Sequence, residues 1–432
     1  MRELFSRNGD AVIEDGAPDL IVINSCAVTA AAERGAAELA SRLRKKYPTA
    51  LIALVGCYGE VLKRNRAASK DFDAVYGNVD KYDIVDDLSD GALAGGQRRS
   101  ADKRGEPLFY ATGPIDTVAL TGAQSRSARY TPFKDCARAF LHVQNGCDCG
   151  CAFCVVPQLR GRSASRPAGM IMRELDDLLA RGYREVMLSG INIGLYKYDG
   201  YDLLDLISML DAVSELEGIH LCSLEPISLN DRFIEGLAGA EKLRPHFHLS
   251  LQSGCDDTLS RMNRKYTFER YYSLMAKIRA SVRDAAVSTD VIAGFPGESD
   301  ADFMVSCENI AACQFSDIHI FKYSVREGTK AAEMQGRISA HRIDERANFL
   351  EGVKLQACYN YNSRFVGSRD KILILKKRSP VLAEGVNAYG IRTVVSGPGA
   401  SGGDYASALI TGLGKGCGSL VGMTEDSGSS PQ

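Results

Sequence analysis

Between about residues 135 and 335 the sequence repeats one pattern six times: a short apolar run that ends in glycine or polar residues, then a stretch with helical spacing. The apolar runs are AFLHVQ from Ala139, REVMLSG from Arg184, IHLCSLEP from Ile219, HFHLSLQSG from His246, VSTDVIAGFPG from Val287 and DIHIFKYS from Asp317. Helical stretches such as MIMRELDDLLARG, TFERYYSLMAKIRASV and DADFMVSCENIAAC lie between them. Strands that alternate with helices build a parallel sheet. Six units suit a partial or open β/α barrel better than a doubly wound sheet, and its carboxyl face is where such barrels place their chemistry.

The flanks differ from this middle block. In the N-terminal block, 1–95, DLIVINSC and ALIALVGC read as buried strands on either side of the helix TAAAERGAAELASRLRKKY. That is a parallel β-α-β unit with a right-handed crossover. Both strands then point the same way, so Cys26 and Cys57 emerge together at the carboxyl edge of the sheet. Residues 96–132 lack periodicity and are rich in Gly, Ser and Arg, as a linker is. The barrel block is set at 133–364. From 365 to 425, DKILILKK, RTVVSG and YASALITG read as short strands with Gly-rich turns, a small β-barrel, and 426–432 as a disordered tail. The fold class expected is therefore α/β, with an N-terminal parallel α/β domain, a central partial six-unit β/α barrel and a small C-terminal β-barrel.

Composition excludes several classes. Of 432 residues, 52 are Lys or Arg and 54 are Asp or Glu, a net charge of −2. A polycation coating nucleic acid is ruled out, and any nucleic-acid contact must come from local basic patches. No apolar run is long enough to span a bilayer, and MRELFSRNGDAVIEDG is not a secretory signal, so a cytoplasmic location is expected. Thirteen cysteines in such a chain point to metal or redox chemistry rather than a disulfide framework.

Four of the thirteen crowd into HVQNGCDCGCAFCVVPQLRGR, at Cys147, Cys149, Cys151 and Cys154. Cys147, Cys151 and Cys154 have the spacing C-x3-C-x2-C, directly after a strand. Three thiolates on one tight loop can ligate three irons of a 4Fe–4S cube and leave the fourth iron open to a non-protein ligand. The alternatives are a structural zinc and a CAFC dithiol. Zinc usually takes four ligands from two separated pairs, and no second pair follows. The dithiol leaves Cys147 and Cys151 without a role.

This loop at the first strand of a six-unit barrel resembles the radical S-adenosylmethionine (SAM) enzymes. The resemblance extends over VINSCAVT, LVGCYGE, GNVDKYDIV, NGCDCGCAFCVVPQLRGRSASR, LSGINIG, SLEP, HLSLQSGCDDTLSRMNRKYT, TDVIAGFPGE and FKYSVREGTKAAEM. Together these resemble the methylthiotransferase family, and most closely its branch acting on threonylcarbamoyladenosine in tRNA. The resemblance implies two 4Fe–4S clusters, one on Cys147, Cys151 and Cys154 and an auxiliary one in the N-terminal domain. It implies SAM as cofactor and a methylthio group installed on carbon 2 of an adenine beside the anticodon. It further implies a tRNA substrate, an electron donor such as flavodoxin or ferredoxin, and a C-terminal barrel similar to the RNA-binding TRAM domain, which is OB-like.

Cys26 and Cys57 match the second and third auxiliary ligands. The family's first ligand belongs to a Gly-Cys-x-x-Asn element that this sequence would carry ahead of MRELF, so the expectation is a start lying upstream or an incomplete auxiliary site, the former preferred. Cys149 is read as a bystander. Cys136 is the one cysteine near the cluster strand that could substitute for the missing ligand, and the other scattered cysteines read as fillers. At strand ends, Gly190, Asn192, Glu225, Gln252, Ser253 and Gly294 are candidate SAM contacts, each equally readable as turn chemistry. Arg160 and Arg162, with Arg166 after them, are candidate contacts for tRNA phosphate, or else a solvated charged loop. Lys376, Lys377 and Arg378 read equally as RNA contacts or as an edge strand protected by charge. Two rival functions stay open: a methylthiotransferase for isopentenyladenosine tRNA or a ribosomal protein, and a non-catalytic Fe–S protein that binds RNA.

Overall fold

The computed structural model describes residues 16–65, 71–78, 80–85, 108–109, 138–397 and 404–424. Most of the 96–132 linker, Cys136, residues 398–403, the side chain of Cys417 and the 426–432 tail lie outside the described residues. The chain forms two compact units. One contains Met1–Thr131, Gly146–Ala164 and Ser324–Ala332, and the other contains Pro132–Asn145, Ser165–Tyr323 and Glu333–Gln432.

The first unit is built on a parallel sheet in the order β1 (Leu20–Ser25), β2 (Leu51–Gly56), β3 (Ala74–Tyr76) and β4 (Leu108–Phe109). The central strands β2 and β3 are apolar and almost wholly buried because both faces are covered. Ile23, Ile52, Leu54 and Val75 pack with Ala36 and Ala40 of helix α1 (Ala30–Lys46), while Val55, Ala74 and Tyr76 pack with Ile84 and Val85 on the opposite side. Thr29 caps α1, its Oγ1 accepting from the Ala32 N–H at 3.2 Å, and Arg44, Lys45 and Lys46 sit in the last turn, complementing the helix dipole. Ser25 is in register with Gly56, so Cys26 and Cys57 leave adjacent strand ends on the same edge, as the sequence implies. Helix α2 (Cys57–Asn65) begins at Cys57 itself.

The second unit carries six parallel strands: β5 (Ala139–His142), β6 (Glu185–Ser189), β7 (Gly218–Leu221), β8 (His246–His248), β9 (Ala286–Ala293) and β10 (Asp317–Lys322). Ladders join β5, β6 and β7, and β8, β9 and β10, and parallel bridges at Ile219–Leu243 and Leu224–Leu249 connect the two sets. Sequential, all-parallel pairing is the layout of a β/α barrel that stops at six strands. One large core fills the space between strands and helices, with Leu141, Leu188, Ile219, Phe247, Leu249 and Val291 among its fully buried members.

Helix α3 (Ala340–Asn362), which the sequence reading left unassigned, packs back on this body. Its Arg346 is buried and donates to Glu298 Oε2 at 2.7 Å and to Asp300 Oδ1 at 2.7 Å. Burial pushes the Glu298 carboxyl from its ordinary 4.5 up to about 7, with Arg346 pulling the other way. Folded Glu298 therefore holds its proton more tightly than unfolded Glu298. Its contribution to stability is complete below the unfolded value and is lost as pH rises through about 7. Thermal melts of wild type and Glu298→Gln between about pH 5 and about pH 8 should show the wild type losing stability toward alkaline pH and the variant following a flatter curve.

The C-terminal strands β11 (Arg369–Ser379), β12 (Leu382–Val386), β13 (Arg392–Ser396), β14 (Tyr405–Leu413) and β15 (Ser419–Thr424) close into a barrel in the order β11-β12-β13-β15-β14. All pairs are antiparallel except β13 with β15. A closed five-stranded barrel is the OB-type architecture expected for this segment. The Tyr405 hydroxyl seats it on the six-strand body by bonding Glu185 Oε1 at 2.5 Å.

Candidate functional site

The cysteine loop belongs to the first unit. It leaves β5 and winds through two residues with positive φ, Gly146 at 68° and Gly150 at 66°. A Cβ on Gly146 would lie 2.0 Å from the Arg162 carbonyl oxygen, a backbone atom with no freedom to step aside. Glycine is therefore required where the loop starts. Gly146→Ala is expected to lower the melting temperature and the iron retained per chain together, since the strain falls on the residue next to Cys147.

The loop is held by its own backbone. The Cys147 N–H donates to Gly161 O at 3.3 Å and the Cys154 N–H to Cys151 O at 3.2 Å. The Cys149 N–H points at Cys147 Sγ, 3.5 Å away, so Cys149 serves the loop through its main chain. Cys147, Cys151 and Cys154 are all half-buried. Further anchors come from the 324–332 segment. The Ala331 N–H bonds Ala152 O at 2.8 Å, and Gln158 Nε2 bonds Gly328 O at 2.6 Å. Arg326 of the same segment forks onto Glu33 of α1, at 2.7 and 3.1 Å, and reaches Ala27 O at 3.0 Å. The FKYSVREGT motif thus ties the cysteine loop to the N-terminal sheet.

Cys57 is brought to this loop. It is buried, in one apolar cluster with Ala27, Val155 and Leu159. Arg160 Nε lies 3.3 Å from Cys57 Sγ, and Asn78 Nδ2 lies 3.5 Å from it while also bonding Leu159 O at 3.0 Å. Cys26 is exposed, its sulfur accepting from the Val28 N–H at 3.3 Å. Hydrogen bonds to sulfur are one means by which a protein tunes a thiolate-bound iron cluster. The donor set also fits such a group: three thiols on one loop, no nitrogen ligand among them, and a backbone shaped around them. Cys26 and Cys57 offer two more at the sheet edge.

Two of the three arginines after the loop have partners within the protein. Arg160 is half-buried, with its Nε 3.3 Å from Cys57 Sγ. Arg166 is buried, donating to Glu174 Oε2 at 2.6 Å and to His142 O at 2.5 Å. Only Arg162 of the three is exposed, beside Asp148 at 3.1 Å.

In the second unit the strand-end candidates do gather at the carboxyl ends of β6 to β9, but with different duties. Gly190 and Asn192 form a turn organised by Gln144, whose Oε1 accepts from the Ile191 and Asn192 N–H groups at 3.1 and 3.0 Å. Asn192 Oδ1 lies 3.4 Å from both the Glu225 N–H and Ser228 Oγ. Glu225 is held by Arg264 at 3.1 and 2.6 Å, and burial raises its carboxyl despite that partner. Gln252 has a φ of 74°, a strained conformation for a residue with a Cβ, fixed by its N–H bonding Asp290 O at 2.8 Å. Two candidates have close neighbours on helices. Ser253 Oγ is turned to Ser306 Oγ at 3.2 Å and accepts from the Cys255 N–H at 3.2 Å. The close approach at Gly294 (φ 79°) is to Ile343 of α3, whose Cγ1 would lie 2.4 Å from an added Cβ.

Sequence reasoning did not single out Asn78, Gln144 or Arg264, although all three stand within or beside the motifs it quoted. Each acts on a residue far away along the chain, which no local pattern reveals. Of the remaining cysteines, Cys255, Cys307, Cys313 and Cys358 are buried fillers as expected. No helix among the described residues is long and apolar enough to cross a membrane.

Comparison with known proteins agrees with this architecture. The model of the Radical SAM superfamily matches residues 141–310, and that of the Uncharacterized protein family UPF0004 matches residues 1–77. The chain is 32% identical to the threonylcarbamoyladenosine tRNA methylthiotransferase MtaB of Thermotoga maritima over 375 residues, 86% of this chain and 82% of the relative. It is 31% identical to a tRNA-2-methylthio-N(6)-dimethylallyladenosine synthase of Syntrophomonas wolfei, over 82% of this chain and 78% of the relative. Among solved structures, a radical S-adenosylmethionine methyltransferase, TsrM, from Kitasatospora setae, solved with cobalamin and a [4Fe-4S] cluster, superposes with a TM-score of 0.50 at 15% identity. That match covers 76% of this chain and 65% of TsrM, and it speaks for the fold alone.

Proposed function

The chain belongs to the radical SAM methylthiotransferase family, and from that premise we propose that it installs a methylthio group on carbon 2 of N6-threonylcarbamoyladenosine in tRNA, beside the anticodon. The observation that carries this reading is the alignment over most of both chains with a relative of that name, with the cysteine loop and both flanking domains in place.

On this reading Cys147, Cys151 and Cys154 hold a 4Fe–4S cluster that leaves one iron for S-adenosylmethionine. Cluster and nucleotide together supply the one-electron chemistry needed to break a C–H bond that acid–base groups leave intact. The chain's own residues position and protect. Gly146 and Gly150 shape the loop around the thiols, and the segment carrying Arg326 pins it. Cys26 and Cys57 are the chain's ligands for an auxiliary cluster, with Arg160 and Asn78 directing N–H groups at the Cys57 sulfur. Gly190, Asn192, Glu225 and Gln252 are assigned to the SAM side of the barrel, where Gln252 keeps its strained backbone in service of a ligand. Arg162 is available to tRNA phosphate. The OB-type barrel suits contact with an RNA backbone and stacked bases. A small flavodoxin- or ferredoxin-type protein is the reductant class such a cluster draws on.

A second reading is favoured by one observation: identity to the dimethylallyladenosine branch, 31%, is nearly the same. Mass analysis of tRNA nucleosides from a strain lacking the gene separates the two. Loss of the methylthio derivative of threonylcarbamoyladenosine supports the proposal. Loss of the dimethylallyl counterpart moves the chain to the other branch, and no change in either overturns the tRNA reading.

A further inference from the structure

A cluster of chemistry-bearing residues lies on three adjacent strands of the second unit. It is set by the register of β8, β9 and β10. His248 is opposite Ser288, Ser288 opposite Asp317, and Asp290 opposite His319. Side chains alternate between the two faces of a strand. Phe247, Leu249, Val287, Val291 and Ile318 therefore enter the apolar core, while His248, Ser288, Asp290, Asp317 and His319 share the other face.

His248 Nε2 is 3.2 Å from Asp290 Oδ2, and His319 Nδ1 is 3.2 Å from Asp290 Oδ1. One ligand atom from each of the three lies within 4.8 Å of the others. The second nitrogen of each ring is already engaged. His248 Nδ1 is 3.0 Å from Ser288 Oγ, and His319 Nε2 is 3.3 Å from Asp317 Oδ2, whose other oxygen meets Lys354 Nζ at 3.0 Å. Exposure of the three side chains rises from 12% for His248 through 22% for Asp290 to 49% for His319, so one side is open to solvent.

We propose that His248 Nε2, the Asp290 carboxylate and His319 Nδ1 form a binding site for one divalent ion of the zinc class, with water in the remaining position. Two imidazoles and a carboxylate with an open place are the donor set of such sites. The outer partners are what metal-bound histidines require: an acceptor on the far ring nitrogen fixes the tautomer and the ring plane, here Ser288 on one ring and the Asp317 carboxylate on the other. Against the dication stand one negative charge in contact and a second one behind His319. The set contains no sulfur, which separates this ion from any bound at the cysteine loop, and its failure would leave the reading of that loop unaffected.

The test uses the full chain with its iron clusters reconstituted without oxygen, so that the cysteines are occupied, then cleared of loose metal with a chelator and titrated with Zn2+. The zinc retained per chain and the zinc K-edge absorption spectrum are measured. One zinc per chain with a nitrogen-and-oxygen shell is expected, lost in Asp290→Asn and in His319→Gln while iron and sulfide stay unchanged. Asp317→Asn, which touches only the outer partner, should still bind zinc but about 10–100-fold more weakly. It decides the matter if either ligand variant fails to fold, and an unchanged affinity there overturns the site. No zinc retained by the wild type, sulfur in its shell, or equal zinc in Asp290→Asn also overturns it.

Discussion

Changing Cys147, Cys151 and Cys154 together to Ala is expected to give a folded, colourless protein with no methylthio-transfer activity. The thiols are half-buried on a loop held by backbone bonds and by the Ala331 and Gln158 anchors, so removing three sulfur atoms opens no core cavity and leaves those bonds in place. What disappears is the only thiol trio that the loop shapes. Iron per chain should fall by about four, the content of one cube, and the broad visible absorbance should fall with it. Cys149→Ala should keep both iron and colour, because the main-chain N–H that Cys149 directs at Cys147 Sγ survives the change. Iron retained in the triple variant at the wild-type level would place the cluster elsewhere.

The second large effect concerns stability at the strand ends. The Arg264 side chain is 2% exposed and serves Glu225 through two bonds, Ser250 O at 2.6 Å and Tyr266 Oη at 2.9 Å. Arg264→Met leaves a buried carboxyl and a buried carbonyl without their cation. Removing one partner of a buried pair costs about 3–5 kcal/mol. For a body of this size that is a fall in Tm on the order of 10 °C. The double change Glu225→Gln with Arg264→Met should recover part of the loss, since no charge is then stranded. A double variant no more stable than Arg264→Met alone would show that the cost is packing rather than charge.

What was legible in the sequence was whatever depends on local spacing. The six apolar runs ending in Gly or polar residues became β5 to β10 because burial on one face and solvent or ligand at the carboxyl end constrain consecutive residues. The thiol spacing of the loop is of the same kind. Two of the five strands in the terminal barrel were missed: Leu382–Val386 and Ser419–Thr424 each carry a glycine, at Gly385 and Gly422, and show no clear alternation. Helix α3 escaped because its sequence is largely charged and polar, with Arg346 itself among the buried residues. Illegible altogether were contacts fixed by pairing across the chain: Arg160 with Cys57, 103 residues apart, Glu225 with Arg264, 39 apart, and the His248–Asp290–His319 set, which exists only once three strands are in register. Arg160 illustrates the cause most plainly. From its neighbours it is a cation in a basic loop, and its Nε lies beside a cysteine sulfur on a distant strand end.

The most direct test of the central claim is an oxygen-free assay of the reconstituted chain with S-adenosylmethionine, a low-potential reductant and tRNA that carries unmodified N6-threonylcarbamoyladenosine, followed by mass analysis of the digested nucleosides. The account predicts that the methylthio derivative appears with the wild type and is absent with the triple alanine variant. Fully iron-loaded wild type that makes none of it, or product made equally well without Cys147, Cys151 and Cys154, would contradict the account.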